Sequence, residues 1–209
     1  MKNYFVFVFV VLGAVSSCVI QPSPPYVYNT NPLYTWGYAE YYGAYYAQNG
    51  NPNNVISLSL FSDSLTINSI GNLVGTGQYL YLENIYIPAT EVFLPAGTYT
   101  VNKSGNAFTI TPGIKDTVDN QVYPIGAYIS YFEGNTAMSK MNLITDGSMV
   151  VTVSGDNYSI NCNFVTADKK VLNGSFSALL PHIDQSIHTG LQTRINRFDK
   201  KNLFKYFGN

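Results

Sequence analysis

The chain has 209 residues and a net charge of −1, which is enough length to bury the core of one domain. Charged residues make up only 11% and aromatic residues 15%, a composition that favours strands over helices. A chain this close to neutral lacks the global field that attracts nucleic acid, so no nucleic-acid partner is expected.

Residues 1–17 have the pattern of a bacterial lipoprotein signal peptide. Lys2 supplies a positive charge, Tyr4 to Val15 forms an apolar run, and Ser16 and Ser17 are small residues that precede Cys18. The run is shorter than the roughly 20 residues of a transmembrane helix. Val15-Ser16-Ser17-Cys18 resembles the lipobox, and this resemblance implies diacylglycerol on the Cys18 sulfur and a third acyl chain on its amine. The alternative is an ordinary cleaved signal with a chance cysteine.

Residues 18–34 predict a proline-rich tether, because proline favours extended polyproline II geometry and no apolar periodicity is present. The tether would place a folded domain of residues 35–180 at the surface of a membrane. Lipoproteins exposed on the cell surface often carry acidic residues directly after the lipidated cysteine, and Val19 to Pro22 has none. This resemblance therefore leaves open which side of the outer membrane the protein faces.

The first half of the domain alternates short strands with turns. Tyr38 to Tyr46 predicts an aromatic strand, and Val55 to Phe61 alternates apolar residues with serines at period two, which is typical of a half-buried strand. Gln78 to Ile87 alternates leucine with tyrosine in the same way. Gly, Asn and Pro clusters between these segments predict turns.

The second half has a similar pattern. Asp146-Gly147 predicts a hairpin between strands at Lys140–Thr145 and Ser148–Val153. Tyr158 to Val165 places Cys162 on its apolar side, so we expect a buried cysteine and no disulfide, because Cys18 is lipidated. About ten short strands joined by tight turns indicate an all-β fold, a single antiparallel meander closed as a barrel or folded as a sandwich.

Two segments resemble recurring elements of small Bacteroidota cell-envelope lipoproteins of unassigned function. They are Leu94-Pro95-Ala96-Gly97-Thr98-Tyr99-Thr100 and Ile144 to Ser148 continuing through Gly155 to Ile160. The similarity spans roughly Gly37 to Leu179. It implies an envelope lipoprotein with a β domain and assigns no active site.

Residues 181–209 predict a basic tail containing a short C-terminal helix, because Ile187, Leu191, Ile195 and Phe198 recur at helical spacing. One interpretation is a helix that packs on the β domain. The other is an amphipathic helix that acts separately, so that its deletion leaves the thermal midpoint nearly unchanged. Its contacts with anionic lipid or a partner would come from Arg194, Arg197, Lys201 and Lys205.

Few residue patterns suggest catalysis. Both histidines lie in the predicted tail, and most acidic residues lie in turns. Glu40, Glu83 and Glu91 lie in or beside strands and are the candidates for a carboxylate pair. No catalytic residue, metal ligand or cofactor is assigned.

The tyrosines are the strongest candidate for a binding surface. Five of them crowd one strand, so one of its faces must meet solvent, a neighbouring element or a ligand. Cross-strand pairing that only stabilises the sheet is the alternative. The five are Tyr38, Tyr41, Tyr42, Tyr45 and Tyr46.

The sequence therefore predicts a lipid-anchored protein of the bacterial cell envelope, at the outer membrane, that acts as a non-enzymatic binding or assembly module. Its partners would be the membrane, through the anchor, and an envelope protein or a glycan. A glycan-active hydrolase and a lipocalin-like carrier of an apolar ligand are the alternative functions.

Overall fold

The computed structural model describes residues 28–62, 64–68, 73–118, 121–133 and 136–186. The predictions for the signal peptide, Cys18 and the first part of the tether lie outside these residues, as do those for the C-terminal helix and for Arg194, Arg197, Lys201 and Lys205. Within the described ranges, no helix is long and apolar enough to cross a membrane.

The predicted all-β fold is confirmed. The described residues form fifteen strands and one short 3-10 helix at Ala47–Asn49. The strands are β1 (Leu33–Tyr34), β2 (Trp36–Gly43), β3 (Asn54–Phe61), β4 (Leu65–Ile67), β5 (Leu73–Ile87), β6 (Gly97–Val101), β7 (Thr109–Ile110), β8 (Ile114–Val118), β9 (Gln121–Ile125), β10 (Ala127–Glu133), β11 (Thr136–Ser154), β12 (Asn157–Thr166), β13 (Val171–Leu172), β14 (Ser175–Leu179) and β15 (His182–Asp184).

Thirteen strands form one large sheet that curls into a partial ring. Their order is β1-β14-β12-β11-β6-β7-β5-β3-β2-β15, with β10 between β5 and β11, β13 beside β12, and β4 beside β5. β8 and β9 form a separate hairpin. Most pairs are antiparallel, as predicted, but β6/β7, β1/β14 and β2/β15 are parallel. The last two pairs join the first strands of the domain to its last strands, which gives the sheet its barrel-like curvature.

The inner face of the sheet packs as one hydrophobic cluster. Its members alternate along the strands, as the period-two pattern predicts, and Ile56, Leu58, Leu80 and Leu82 are each 0% exposed. The predicted half-burial of Val55–Phe61 is wrong, because β3 is buried along its whole length. Both faces of β3 are therefore covered, and the serines on its outer face do not meet bulk solvent.

Asp146-Gly147 lies inside one long strand, not at the tip of the predicted hairpin. β11 continues through this dipeptide, and its pairing with β12 shifts there by one residue, which is a β-bulge. Asp146 Oδ1 accepts the Gly147 N–H at 2.7 Å, and Gly147 has φ +108°. Glycine tolerates positive φ, which is why Asp-Gly favours hairpin turns, and here the same property allows a bulge.

The domain begins before the predicted boundary at Thr35. The Asn29 backbone N–H donates to Gln78 Oε1 at 3.1 Å, and Gln78 Nε2 donates back to the Asn29 carbonyl at 3.1 Å. Tyr34 is 1% exposed and belongs to the main cluster. The residues from Tyr28 to Tyr34, predicted as tether, are thus bound to the sheet, because their polar backbone groups find partners there.

The domain also ends after the predicted boundary at residue 180. The Ala39 N–H donates to the Pro181 carbonyl at 2.9 Å, β15 pairs with β2, and the Gln185 N–H donates to the Tyr41 carbonyl at 2.8 Å. Residues 181–186 are therefore part of the sheet, and the predicted division between domain and tail is wrong for them. His182 consequently belongs to the β domain, which the sequence analysis left without a histidine.

Candidate functional site

The outer face of β2, β3, β5 and β10 carries a continuous group of tyrosines and carboxylates. The strand registers place Tyr38 opposite Ser59, Ser59 opposite Tyr81, and Tyr81 opposite Tyr128. Alternation places this row on the side opposite the leucines of the core. We name the set the tyrosine face and define it as Tyr38, Glu40, Tyr42, Ser57, Ser59, Tyr79, Tyr81, Glu83, Tyr128 and Ser130.

The five tyrosines predicted as one binding strand are in three different places. Tyr38 and Tyr42 lie on the tyrosine face, whereas Tyr41 packs against the main cluster on the opposite side. Tyr45 and Tyr46 follow β2, and their rings contact each other at 5.0 Å. The Tyr45 ring lies 6.3 Å from that of Tyr42, so Tyr45 remains at the rim of the tyrosine face.

Aromatic rings continue from the tyrosine face to one end of the sheet. The ring centroids of Tyr81 and Tyr128 are 5.2 Å apart, and those of Tyr128 and Tyr79 are 6.2 Å apart. Tyr79 stacks on Phe61 at 5.7 Å, and Phe61 stacks on Trp36 at 4.1 Å. Such pairs each contribute about 1 kcal/mol beyond the area that they bury.

Strand β4 covers that end of the array. Leu65 and Leu73 pack with Phe61 and Phe132 in a second hydrophobic cluster, and Trp36 Nε1 donates to the Leu65 carbonyl at 2.7 Å. The half-buried side chains of Tyr38, Glu40, Tyr42 and Tyr81 lie toward the other end. A ligand would therefore approach the end that contains Glu40.

Glu40 is the centre of the polar contacts on this face. Its Oε2 accepts hydrogen bonds from the Tyr42 hydroxyl at 3.2 Å and from Ser57 Oγ at 3.1 Å. Its Oε1 accepts a longer bond from Gln185 Nε2 at 3.4 Å. Among the described residues, every donor in these three bonds to the Glu40 carboxylate is uncharged.

The neighbouring phenols stay protonated at ordinary pH. Burial and the negative charge of Glu40 raise the pKa of Tyr38 to about 12. The same two causes raise the pKa of Tyr42 further. Burial, followed by the nearby carboxylate of Glu83, raises the pKa of Tyr81 well above its ordinary value. The face therefore places neutral phenol hydroxyls beside the carboxyl groups of Glu40 and Glu83.

Glu83 is the second carboxylate of the face, and it has a structural partner. Its Oε2 accepts the Gly126 N–H at 2.6 Å, and its side chain is largely buried. β3 separates Glu83 from Glu40, so their strands are roughly 10 Å apart. Glu91, the third candidate, lies in the loop between β5 and β6 and is not part of this face.

No family model, curated protein or solved structure matches this chain. The resemblance to Bacteroidota envelope lipoproteins therefore stays a prediction that the sequence alone supports.

The sequence analysis missed Tyr79, Tyr81 and Tyr128 as members of the candidate site. The alternation of leucine and tyrosine in β5 placed the first two on one side of their strand. It did not reveal that this side continues the face of Tyr38 and Tyr42, because strand order is a non-local property.

Cys162 is buried, as predicted. Its side chain is 4% exposed, and burial raises the pKa of its thiol to about 12. The thiolate needed for nucleophilic or metal chemistry is therefore disfavoured. Among the described residues, no three His, Cys, Asp or Glu side chains form a group that could hold a metal ion.

His182 holds the loop that leads into β6. Its Nε2 accepts the Leu94 N–H at 3.2 Å, and its Nδ1 lies 3.0 Å from the Leu180 carbonyl. The neutral imidazole with the proton on Nδ1 satisfies both contacts. The ring also packs against Phe93 and Tyr158, at centroid distances of 5.2 and 5.4 Å.

We expect His182 to make the stability of the domain sensitive to mild acid. Burial lowers the pKa of His182 in the folded protein. The contacts of the neutral imidazole therefore stabilise the fold fully at any pH above the pKa of His182 in the unfolded chain, which is about 6.5. That contribution is lost as the pH falls from 6.5 through the folded pKa. Thermal midpoints measured between pH 7.5 and 5.5 should fall for the wild type and stay flatter for His182→Gln. A His188→Gln control should behave as the wild type. An equal fall of the thermal midpoint with pH in all three proteins would contradict this role of His182.

Proposed function

We propose that this protein is a lipid-anchored module of the bacterial cell envelope that binds its ligand, without catalysis, on the tyrosine face. The observation that carries the proposal is the half-buried cluster of Tyr38, Tyr42 and Tyr81 around the Glu40 carboxylate. Rings of this kind offer apolar area with little conformational entropy to lose, and their hydroxyls add directional hydrogen bonds.

The geometry gives less support to a hydrolase. A glycosidase needs one carboxylic acid that can donate a proton and a second carboxylate that faces the substrate or a water. Glu83 is largely buried and accepts a short bond from Gly126, and Glu40 accepts three bonds from uncharged donors. Both carboxylates are thus held as hydrogen-bond acceptors.

A carrier of an apolar ligand is also less well supported. Such a protein encloses its ligand in a cavity inside a closed barrel. Here the inward-facing side chains, among them Phe164, Phe176 and Tyr99, contact one another as one hydrophobic cluster. The outer face is therefore the better candidate for binding.

The anchor is tested by replacing Cys18 with serine. The lipobox resemblance places the acyl chains on the Cys18 sulfur and on the new amino group, and both depend on that residue. We expect Cys18→Ser to abolish metabolic labelling with a fatty acid and to leave the precursor uncut. A Cys18→Ser variant that is still processed and still labelled would contradict the lipid anchor at Cys18.

The binding surface is tested by site-specific photocrosslinking in intact cells. A benzophenone amino acid in place of Tyr42 should give a discrete adduct, and the same probe at Asn161, on the exposed outer side of β12, should not. In the Tyr42-probe protein, a second substitution, Glu40→Ala, should lower the yield by more than about tenfold, as expected for a residue at the centre of an interface. Equal adducts from both probe positions, or none from Tyr42, would contradict the assignment of this surface.

A further inference from the structure

We propose that the ligand of the tyrosine face is an organic cation, a guanidinium or ammonium group on an alkyl chain. This group would donate hydrogen bonds to the Glu40 carboxylate and pack against the tyrosine rings beside it. The assignment rests on the proposed function, because it names the chemistry that the same surface recognises. The residues that would form the site belong to β2, β3 and β15 and to the turn that follows β2.

The Glu40 carboxylate can accept a further hydrogen bond. Its Oε2 accepts bonds from Tyr42 and Ser57, whereas its Oε1 accepts one bond among the described residues, the 3.4 Å bond from Gln185. A carboxylate oxygen has two lone pairs, so Oε1 has the capacity for a second donor. A guanidinium or ammonium group would form a charge-assisted bond there, which is shorter and stronger than a bond from a neutral amide.

None of the four strands that form the face contributes a basic side chain. The sequence has no lysine or arginine between Lys2 and Lys103, a range that includes β2, β3 and β5, and β10 has none either. The three donors to Glu40 are likewise uncharged. The face therefore offers an acidic group without a basic one, and electrostatic complementarity favours a ligand that supplies the cation.

The rings beside Glu40 fit the same group. Those of Tyr42 and Tyr45 are nearly perpendicular, at 81°, with their centroids 6.3 Å apart. A single cation can therefore lie within about 6 Å of both centroids, which is the range of a cation–π interaction. Burial and the charge of Glu40 raise the pKa of Tyr42, so this phenol stays neutral beside the cation.

An exposed apolar side chain on the same side of the sheet fits the alkyl chain of the ligand. Ile183 lies opposite Glu40 in the register of β15 with β2. Paired residues of neighbouring strands point to the same face, so Ile183 lies beside the carboxylate. It is 42% exposed. The alkyl chain of a bound cation can cover this apolar surface, which an inorganic cation would leave in water.

The test is a titration of the full mature protein, labelled with carbon-13 on its tyrosine rings and followed by NMR. The detergent is a polyoxyethylene, because it carries neither a cation nor a sugar. Butylguanidinium should shift the ring signals of Tyr42 and Tyr45 with a dissociation constant on the order of 1 mM. Butylurea, which has the same shape without the charge, should leave these signals unchanged at the same concentration.

Three variants locate the contact. Glu40→Gln should weaken the binding of butylguanidinium about tenfold, because it removes the charge and keeps the shape of the side chain. Tyr45→Leu should weaken the binding about threefold, because it removes one ring. Glu91→Gln removes a carboxyl group from the exposed loop between β5 and β6 and should bind as the wild type. Wild-type affinity in Glu40→Gln would overturn the cation site. So would equal ring shifts from butylurea, a comparison that needs no variant.

The other ligand class and the proposed function have separate outcomes. Ring shifts from methyl β-glucopyranoside without any from butylguanidinium would overturn the cation site in favour of a glycan. A Glu40-dependent photoadduct from position 42 without butylguanidinium binding would leave the proposed function in place and contradict the cation as its ligand. Butylguanidinium binding without any adduct from that position would leave the cation site in place and contradict the proposed function.

Discussion

A chain that ends after Leu180 should be much less stable than one that ends after Ser186. Both lack residues 187–209, but only the shorter chain lacks β15. Its removal eliminates the bonds from Ala39 to Pro181, from Gln185 to Tyr41 and from Leu94 to His182, and it exposes the edge of β2. At about 1 kcal/mol for each hydrogen bond, including those of the β2/β15 ladder, the loss is about 4 kcal/mol. The thermal midpoint should then fall by about 10 °C.

The comparison separates two interpretations of the C-terminal residues. Thermal unfolding followed by circular dichroism at 218 nm would give the midpoint of both truncated chains and of the full mature protein. Equal midpoints for the two truncated chains would show that β15 does not contribute to the fold, as expected if residues 181–209 were a separate tail. A large fall in the longer chain as well would place further stabilising contacts beyond Ser186.

The local elements of the fold were predictable because they depend on local patterns. Period-two alternation identified β3, β5 and β12, and it placed Cys162 in the core. The closure of the sheet was not predictable. The β1/β14 and β2/β15 pairs join segments about 140 residues apart, and their partners are chosen by tertiary packing. For that reason the sequence analysis placed both domain boundaries inside residues that belong to the sheet.

The candidate site was also predictable only in part, for the same reason. An excess of tyrosine in β2 indicated a surface worth considering, and Tyr38 and Tyr42 are on it. Tyr41 was assigned to the same group because neighbouring residues in a strand were considered together, although successive side chains point to opposite faces. The members from β5 and β10 depend on strand order. Glu40 lies beside them because β3 pairs with β2 on one side and with β5 on the other.

Gly147→Ala should destabilise the domain far more than Gly155→Ala, although both glycines follow an aspartate or serine in sequences typical of turns. An alanine Cβ at position 147 would lie 2.2 Å from the Asn163 carbonyl oxygen, on a backbone with φ +108°. At position 155 the φ is +58° and nothing lies within 4 Å. Backbone strain and the clash together should cost about 4 kcal/mol at Gly147, against about 1 kcal/mol for the left-handed conformation alone at Gly155. Urea unfolding of both variants measures the difference. Similar losses of unfolding free energy in the two variants would mean that Asp146-Gly147 forms an open hairpin turn. A much larger loss for Gly147→Ala is the result expected of a bulge that packs closely against β12.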